Sequence, residues 1–424
     1  MLPITKLAGH LMARSAQTIA TFVASGTVLL VLPAALAQDS EHDKWLATWG
    51  AGSQSAAEAL VGPPPAPLQF DNQTIRMIAR ISKGGDRVRV RLDNTFGADS
   101  LAIGAAHIAL HATGSGIVRA TDSVLTFGSS PTIIIPPGAP ALSDPVDLRV
   151  SDLGEVAVSL YLPDPTPGET VHLVGRQTAY ISGAGDFTAA QTISAPMTTE
   201  ARFFLSGIEV QADDQARSIV TLGDSITDGM NSTLDANKRW PDRLAERLLD
   251  RRHPHLLSVV NEGISGNRVL HDVFGPDALA RFDRDAIAPS GVAFVTLLQG
   301  TDDIGLSAIV PSQAVPPDQI IQGYRQLIER AHVRRIKILG ATLTPLEGAR
   351  LYTPEIEGNR QTLNAFIRTS GEFDDVLDFD LVTRDPTHPT RLLPSYDSGD
   401  HVHPNDAGYK VMADSIDLSV FEGR

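Results

Sequence analysis

Two architectures in one chain, an all-β sandwich followed by a parallel α/β sheet, are what the pattern of this 424-residue sequence predicts. Three observations carry that reading. Between about residues 45 and 205, apolar and polar residues alternate in short runs broken by Gly and Pro, as half-buried strands require. Beyond about residue 215, strand-like runs alternate with stretches whose apolar residues recur every three or four positions. Such strand–helix units build a parallel sheet covered on both faces. The length also exceeds what a single typical domain uses.

The first 37 residues stand apart. Lys6 and Arg14 precede an apolar stretch over 19–36, no acidic residue occurs before Asp39, and the stretch ends in Ala35-Leu36-Ala37. This is the layout of a cleaved secretory signal, so 1–37 is assigned as a leader and the mature protein as secreted or periplasmic. An uncleaved anchor is the alternative, because the run is nearly long enough to span a bilayer. Ser25, Gly26 and Thr27 dilute it, and no stable membrane insertion is expected once the leader is gone.

Residues 38–212 are assigned to the sandwich. Arg87-Val88-Arg89-Val90-Arg91-Leu92 alternates basic and apolar residues, and Ala157-Val158-Ser159-Leu160-Tyr161-Leu162 repeats the period. The run 132–135 reads as a fully buried strand. Gly84-Gly85-Asp86, Pro136-Pro137-Gly138 and Pro163-Asp164 are the turns between strands. Many short strands without helical periodicity point to a jelly-roll-like sandwich. Pro63-Pro64-Pro65 reads as a stiffened surface loop. Arg76, Arg80, Arg87, Arg89 and Arg91 read as a basic stripe on a solvated sheet face, with a sugar- or polyanion-binding surface as the alternative. Trp45, Trp49 and Trp240 read as core or interface residues.

After the polar connection Gln211-Ala212-Asp213-Asp214, residues 213–424 carry the α/β pattern. Strands are expected over 219–222, 292–298, 336–339 and 376–379. Trp240, Leu244 and Leu248 recur every four residues, with Arg243, Glu246, Arg247 and Asp250 on the other faces, which gives a helix. Further amphipathic helices are expected over 318–333 and 355–367.

Composition removes several function classes. Hydrophobic residues at 42% and charged residues at 20% are those of a globular protein, not of a disordered or fibrous one. The net charge is −15, or −17 without Lys6 and Arg14, which argues against nucleic acid as a partner. The absence of cysteine rules out disulfides, thiol catalysis and cysteine metal sites.

Chemistry is concentrated in two segments. Gly223-Asp224-Ser225-Ile226-Thr227-Asp228-Gly229 follows the strand at 219–222, so a hydroxyl sits where ligands of α/β sheets bind. Asp400-His401-Val402-His403-Pro404 offers a carboxylate and an imidazole three residues apart. Together they supply a nucleophile, Ser225, a base, His403, and a group to orient the base, Asp400. His401 and His403 are also spaced like zinc ligands, but no third ligand of similar clarity exists, so no metal is expected. Gly229-Met230-Asn231-Ser232-Thr233 reads as loop structure rather than substrate contact, and Asn267 and Arg268 read as loop anchors. Leu343-Thr344-Pro345 fits a strand-to-loop turn and a cleft lining equally well.

Four blocks in order, Gly223-Asp224-Ser225, Asn261-Glu262-Gly263-Ile264-Ser265-Gly266, Gly300-Thr301-Asp302-Asp303 and Asp400-x-x-His403, resemble the SGNH (GDSL) hydrolase superfamily over roughly 215–420. The first half resembles, more weakly, the β-sandwich that precedes the catalytic domain in one bacterial branch. The resemblance implies a flavodoxin-like three-layer α/β/α fold and hydrolysis of carboxylic esters, on a small molecule or a polymer, through an acyl-serine and with no cofactor. It implies that Gly266 gives its backbone N–H to an oxyanion, beside the N–H of Ser225.

The third block departs from the family. Asp302 stands where the pattern has an asparagine that donates to the oxyanion. An ionised Asp302 cannot donate, and at ~4 Å and an effective dielectric of about 20 its repulsion is on the order of 4 kcal/mol. Losing one donor typically costs about 10²–10³ in turnover. Either Asp302 is protonated by burial near Asp303 and Asp224, or two backbone N–H groups suffice. The expectation is a working but impaired esterase. A silent carbohydrate-binding protein and a carbohydrate deacetylase are the alternatives, and the oligomeric state is left open.

Overall fold

The computed structural model describes residues 44–58, 67–249 and 256–422. The leader expected over 1–37, the Pro63-Pro64-Pro65 loop and Asp250 lie outside the described residues.

Among the described residues, the first half is built on two large antiparallel sheets, beside three small ones of two or three strands. One large sheet is built on Gly85–Asp93, which pairs with Leu205–Gln211 on one side and with Pro140–Leu142 and Val146–Val150 on the other. Trp45–Gly50 continues it beyond Leu205–Gln211. The other runs Met197–Thr199, Ala179–Ala184, Gln73–Arg80, Glu155–Leu162, Ala105–Leu110, Ser123–Val124. Val88, Val90 and Leu92 of the first sheet share a buried core with Met77, Val158 and Leu160 of the second, which makes the pair a sandwich. The alternation read over 87–92 holds, with every apolar residue inside.

Two expectations for this half are corrected. Only Ile133–Ile135 of the run 132–135 is strand, paired with Leu101–Ile103 in a separate two-stranded sheet, and Ile134 is 70% exposed. An edge position leaves one face wet, which a run of apolar residues does not reveal. The basic stripe is not one solvated face. Arg76 and Arg80 lie on one sheet, and Arg87, Arg89 and Arg91 on the other. Arg76 is fully buried and donates to the Ser159 hydroxyl and to the carbonyls of Ser115, Phe187, Thr188 and Ala190. Arg89 and Arg91 flank buried Glu209, at 2.5 and 3.6 Å, and Arg80 reaches Glu246 at 3.0 Å. Buried charge needs partners, and these arginines supply or find them.

The second half is a five-stranded, all-parallel sheet in the order Leu257–Gly263, Arg217–Gly223, Val292–Leu298, Lys337–Ala341, Asp375–Leu377. Numbered along the chain, that order is 2-1-3-4-5, the flavodoxin-like arrangement whose ligands sit where strand order reverses, at strands 1 and 3. Helices Trp240–Leu249, Pro317–Val333 and Pro354–Thr369 bury the residues their periodicity predicts, among them Trp240, Leu244 and Leu248. The strand Leu257–Gly263 is missing from the sequence reading: its apolar run is short, and such runs carry no periodicity of their own. The last strand stops at Leu377 rather than 379, because Asp378 accepts from Leu381 N and caps a short helix, Phe379–Thr383.

The halves are stitched together. Ala47 N donates to Ser290 O at 2.9 Å, while its carbonyl accepts from Ser218 Oγ at 3.0 Å and from Ser258 Oγ at 2.6 Å. Asp43–Arg424 is accordingly one compact unit. Among the described residues, no helix is long and apolar enough to cross a membrane.

Candidate active site

The strand Arg217–Gly223 is buried beyond its first residue and ends at Gly223, where a Cβ would lie 2.2 Å from Thr227 Oγ1 and 2.5 Å from Leu298 O. Only glycine lets the chain turn that close to its neighbours. Asp224 caps the short helix Ser225–Asp228 by accepting from Ile226 N at 3.0 Å, and Gly229 at φ 97° closes it. The turn presents Ser225, 8% exposed, at the end of the first strand.

His403 arrives from the loop before helix Asp406–Ser415. Its Nε2 is 2.7 Å from Ser225 Oγ and its Nδ1 is 2.6 Å from Asp400 Oδ2. A carboxylate only accepts, so the imidazole proton sits on Nδ1 and Nε2 is left to accept from the serine hydroxyl. Asp400 is itself held: Oδ1 accepts from the backbone N–H of Val402 and His403 at 3.0 and 2.8 Å, and Oδ2 accepts from Asn231 Nδ2 at 2.7 Å. Partial burial would raise this carboxyl, but the hydrogen bonds from the His403 side chain and backbone outweigh it and hold it well below the ordinary range.

Gly266 lies on the turn after the neighbouring strand Leu257–Gly263, at φ 81°, with the Phe274 ring 2.4 Å from where a Cβ would stand. Among the described residues, neither its N–H nor that of Ser225 has a hydrogen-bond partner. Asp228 fixes this turn, its Oδ2 accepting from Ser265 N at 2.9 Å and Ser265 Oγ at 2.6 Å. Behind Asp228 stands His172 of the antiparallel half, Nε2 to Oδ1 3.1 Å, both side chains almost fully buried. Asn267 and Arg268 are the loop anchors their sequence suggests: Asn267 Nδ2 donates to the carbonyls of Phe274 and Pro276, and Arg268 to Gln313.

The third block follows Val292–Leu298, the strand on the other side of Arg217–Gly223. Asp302 and Asp303 are both buried. Asp303 accepts from Val269 N at 2.8 Å and Leu270 N at 3.3 Å, so it pins the loop beyond Gly266, and burial pushes its carboxyl up to about 6. Burial raises Asp224 to about 7. Asp302 Oδ2 has no partner; burial first, then the carboxyls of Asp224 and Asp303, push it well above the ordinary range against the pull of Arg268.

His401 belongs to a second pair, its Nδ1 2.5 Å from Asp397 Oδ2, and among the described residues no group of three metal-binding side chains exists. Leu343 lies in irregular chain after the strand Lys337–Ala341, held by Asn364, whose side chain meets its N–H and its carbonyl at 2.7 and 2.9 Å. Nothing in the sequence marks Asn231 as a partner of Asp400, or the clamp formed by Asp228, Ser265 and His172. Each joins segments far apart in sequence, and no spacing rule marks such contacts.

Residues 221–411 match the model of the GDSL-like lipase/acylhydrolase family. No curated protein matches the chain. Among solved structures it is similar to a putative lipolytic protein of the G-D-S-L family from Desulfitobacterium hafniense, at 24% identity over 47% of this chain and 96% of that one, with a TM-score of 0.36. It is similar too to a variant of an acetylxylan esterase from Geobacillus stearothermophilus, at 20% identity over 49% of this chain and 96% of that one, TM-score 0.39. The segment 221–411, with its serine, histidine and aspartate in contact, is thus a domain of the GDSL-like lipase/acylhydrolase family.

Proposed function

We propose that the protein is a secreted serine esterase that cleaves carboxylic esters through an acyl-serine intermediate. Its chemistry lies in 213–424, and 38–212 forms the sandwich against which that domain is built. The observation that carries this reading is the unbroken chain from Ser225 Oγ through the His403 ring to Asp400, at 2.7 and 2.6 Å. As Ser225 Oγ attacks the ester carbonyl, its proton passes to His403 Nε2, and the imidazolium is held by the Asp400 carboxylate. The same Nε2–H then protonates the departing alcohol. Water, deprotonated by His403, releases the acid and restores the hydroxyl.

The carbonyl oxygen gathers negative charge in both steps. The unpartnered N–H groups of Ser225 and Gly266 are its donors. Asp302 is the third, as a carboxylic acid: burial and two neighbouring carboxyls favour its neutral form, and a neutral carboxyl carries one O–H to give. The site therefore works while Asp302 is protonated and weakens as it ionises.

An activity-based fluorophosphonate probe tests this directly. The folded wild-type protein should be labelled, Ser225→Ala should not, and p-nitrophenyl acetate should be hydrolysed by the first alone. A folded wild-type protein that takes no label would favour the silent carbohydrate-binding reading. Comparing short and long acyl esters with an acetylated glycan separates esterase from deacetylase.

A further inference from the structure

A cavity whose walls do not include Ser225 is present. It lies between the sheet edge formed by Trp45–Gly50 and Leu205–Gln211 and the strand Leu257–Gly263, with a volume of about 270 Å³. Ser225, Asp400 and His403 are not among its walls. Trp49, Ile208 and Val260 give it apolar surface, and Arg91, Arg284 and Glu262 reach it from both halves of the molecule.

The charged groups around the cavity are already partnered. Arg284 is bound to Asp285 at 2.5 and 2.9 Å and to Ser53 O at 2.8 Å. Arg91 lies 3.6 Å from Glu209, and Asp93 accepts from Thr95 N at 2.8 Å. Glu262 is the exception. It is 5% exposed, and its side chain makes no hydrogen bond and no ion pair among the described residues. Gly50 leaves room for it: a Cβ there would stand 2.1 Å from Glu262 Oε1. Burial, with Asp285 beside it, pushes this carboxyl well above the ordinary range, against Arg281, Arg284 and Arg91.

A buried polar group without a partner costs free energy, and a cavity in front of it is where a partner belongs. A protonated carboxyl offers one O–H and acceptor lone pairs, which a hydroxyl answers on both counts. Paired charges leave nothing for a free ion to neutralise. The volume is just under the roughly 300–1,000 Å³ of sites for drug-sized ligands, which suits one ring rather than a chain, and the apolar walls suit the C–H face of that ring.

We propose that this cavity binds a neutral, polyhydroxylated ring of monosaccharide size, with Glu262 exchanging hydrogen bonds with a ring hydroxyl and Trp49 forming a wall. The site is independent of the ester chemistry and stands or falls apart from it.

Isothermal titration of the whole protein with D-glucose, D-galactose, D-mannose and D-xylose is the test. At least one sugar should bind saturably at millimolar concentration. Glu262→Gln should retain binding and Glu262→Leu should weaken it about tenfold or more. Gly207→Val gives a second handle: a Cβ there meets Arg91 at an ordinary 3.5 Å, so the variant can fold while its side chain fills the cavity. It should abolish binding, whereas Ser225→Ala should not change it. No saturation by any of the four sugars overturns the proposal, as does binding that survives Gly207→Val in a folded chain. Tight binding of n-butylamine with proton release would make the site one for a cation instead.

Discussion

Asp400 sits in a loop and Asp302 in the short helix Thr301–Gly305, and their surroundings push the two carboxyls in opposite directions. Asp400 accepts four hydrogen bonds, from two backbone N–H groups, His403 and Asn231, and its carboxyl is held low. Asp302 Oδ2 accepts none, and its carboxyl is driven high. Exposure contributes, since Asp400 reaches solvent, so Asp303 and Asp224 make the cleaner comparison with Asp302. Both are as deeply buried; Asp303 has two backbone donors and rises to about 6, and Asp224 has one and rises to about 7. Burial pushes all three carboxyls up, and backbone donors, with Arg268 at 3.8 Å from Asp303, pull against it.

Removing the charge of Asp400 should break the comparison most severely. Asp400→Asn places an amide against His403 Nδ1 and favours the wrong imidazole tautomer, so kcat should fall about 10³–10⁴-fold with little change in KM. A loss below tenfold would mean that backbone contacts alone orient the base.

Asp302→Asn acts from the other side, and its effect depends on pH. A carboxyl whose folded pKa is raised stays protonated, and can donate, until pH climbs through that value; above it the donor becomes a negative charge. Asparagine donates throughout. The ratio of variant to wild-type kcat/KM on p-nitrophenyl acetate should therefore rise with pH, from near unity while the Asp302 carboxyl is protonated to about 10² once it has ionised. A ratio that does not change with pH would remove Asp302 from the oxyanion's surroundings.

The smallest effect is expected at Asn231. Asn231→Ala removes one charge-assisted hydrogen bond from Asp400 and leaves the others, so kcat should fall about tenfold or less. The Asp400 carboxyl should move up, carrying the acid limb of the kcat/KM profile with it. A purely structural role would lower stability without moving that limb.

The sequence marked Ser225, His403 and Asp400, proposed here as nucleophile, base and orienter, because each sits in a motif short enough to be fixed by local chain geometry: a strand, a tight turn and an Asp-x-x-His pair. It carried the two layers because alternation and helical periodicity report which face is buried. It did not carry the partners of Arg76, Asn231 or Asp228, whose contacts join segments that meet only in the folded chain. The strand Leu257–Gly263 was lost for a related reason, since a short buried run looks alike in a helix and in a sheet. Asp302 was legible as a departure from the motif, whereas the upward push on its carboxyl depends on its burial beside Asp224 and Asp303 in the folded chain.

Ala47, whose N–H and carbonyl meet Ser218, Ser258 and Ser290, has a consequence for the order of assembly. It is synthesised more than two hundred residues before the last of those partners. At about 5–20 residues per second, the strand Trp45–Gly50 waits on the order of tens of seconds for the residues that complete its surroundings. During that interval the early sheet has an open edge, and edges recruit other chains. Lys44, immediately before that strand, and pairing with Leu205–Gln211 are the features that oppose such recruitment.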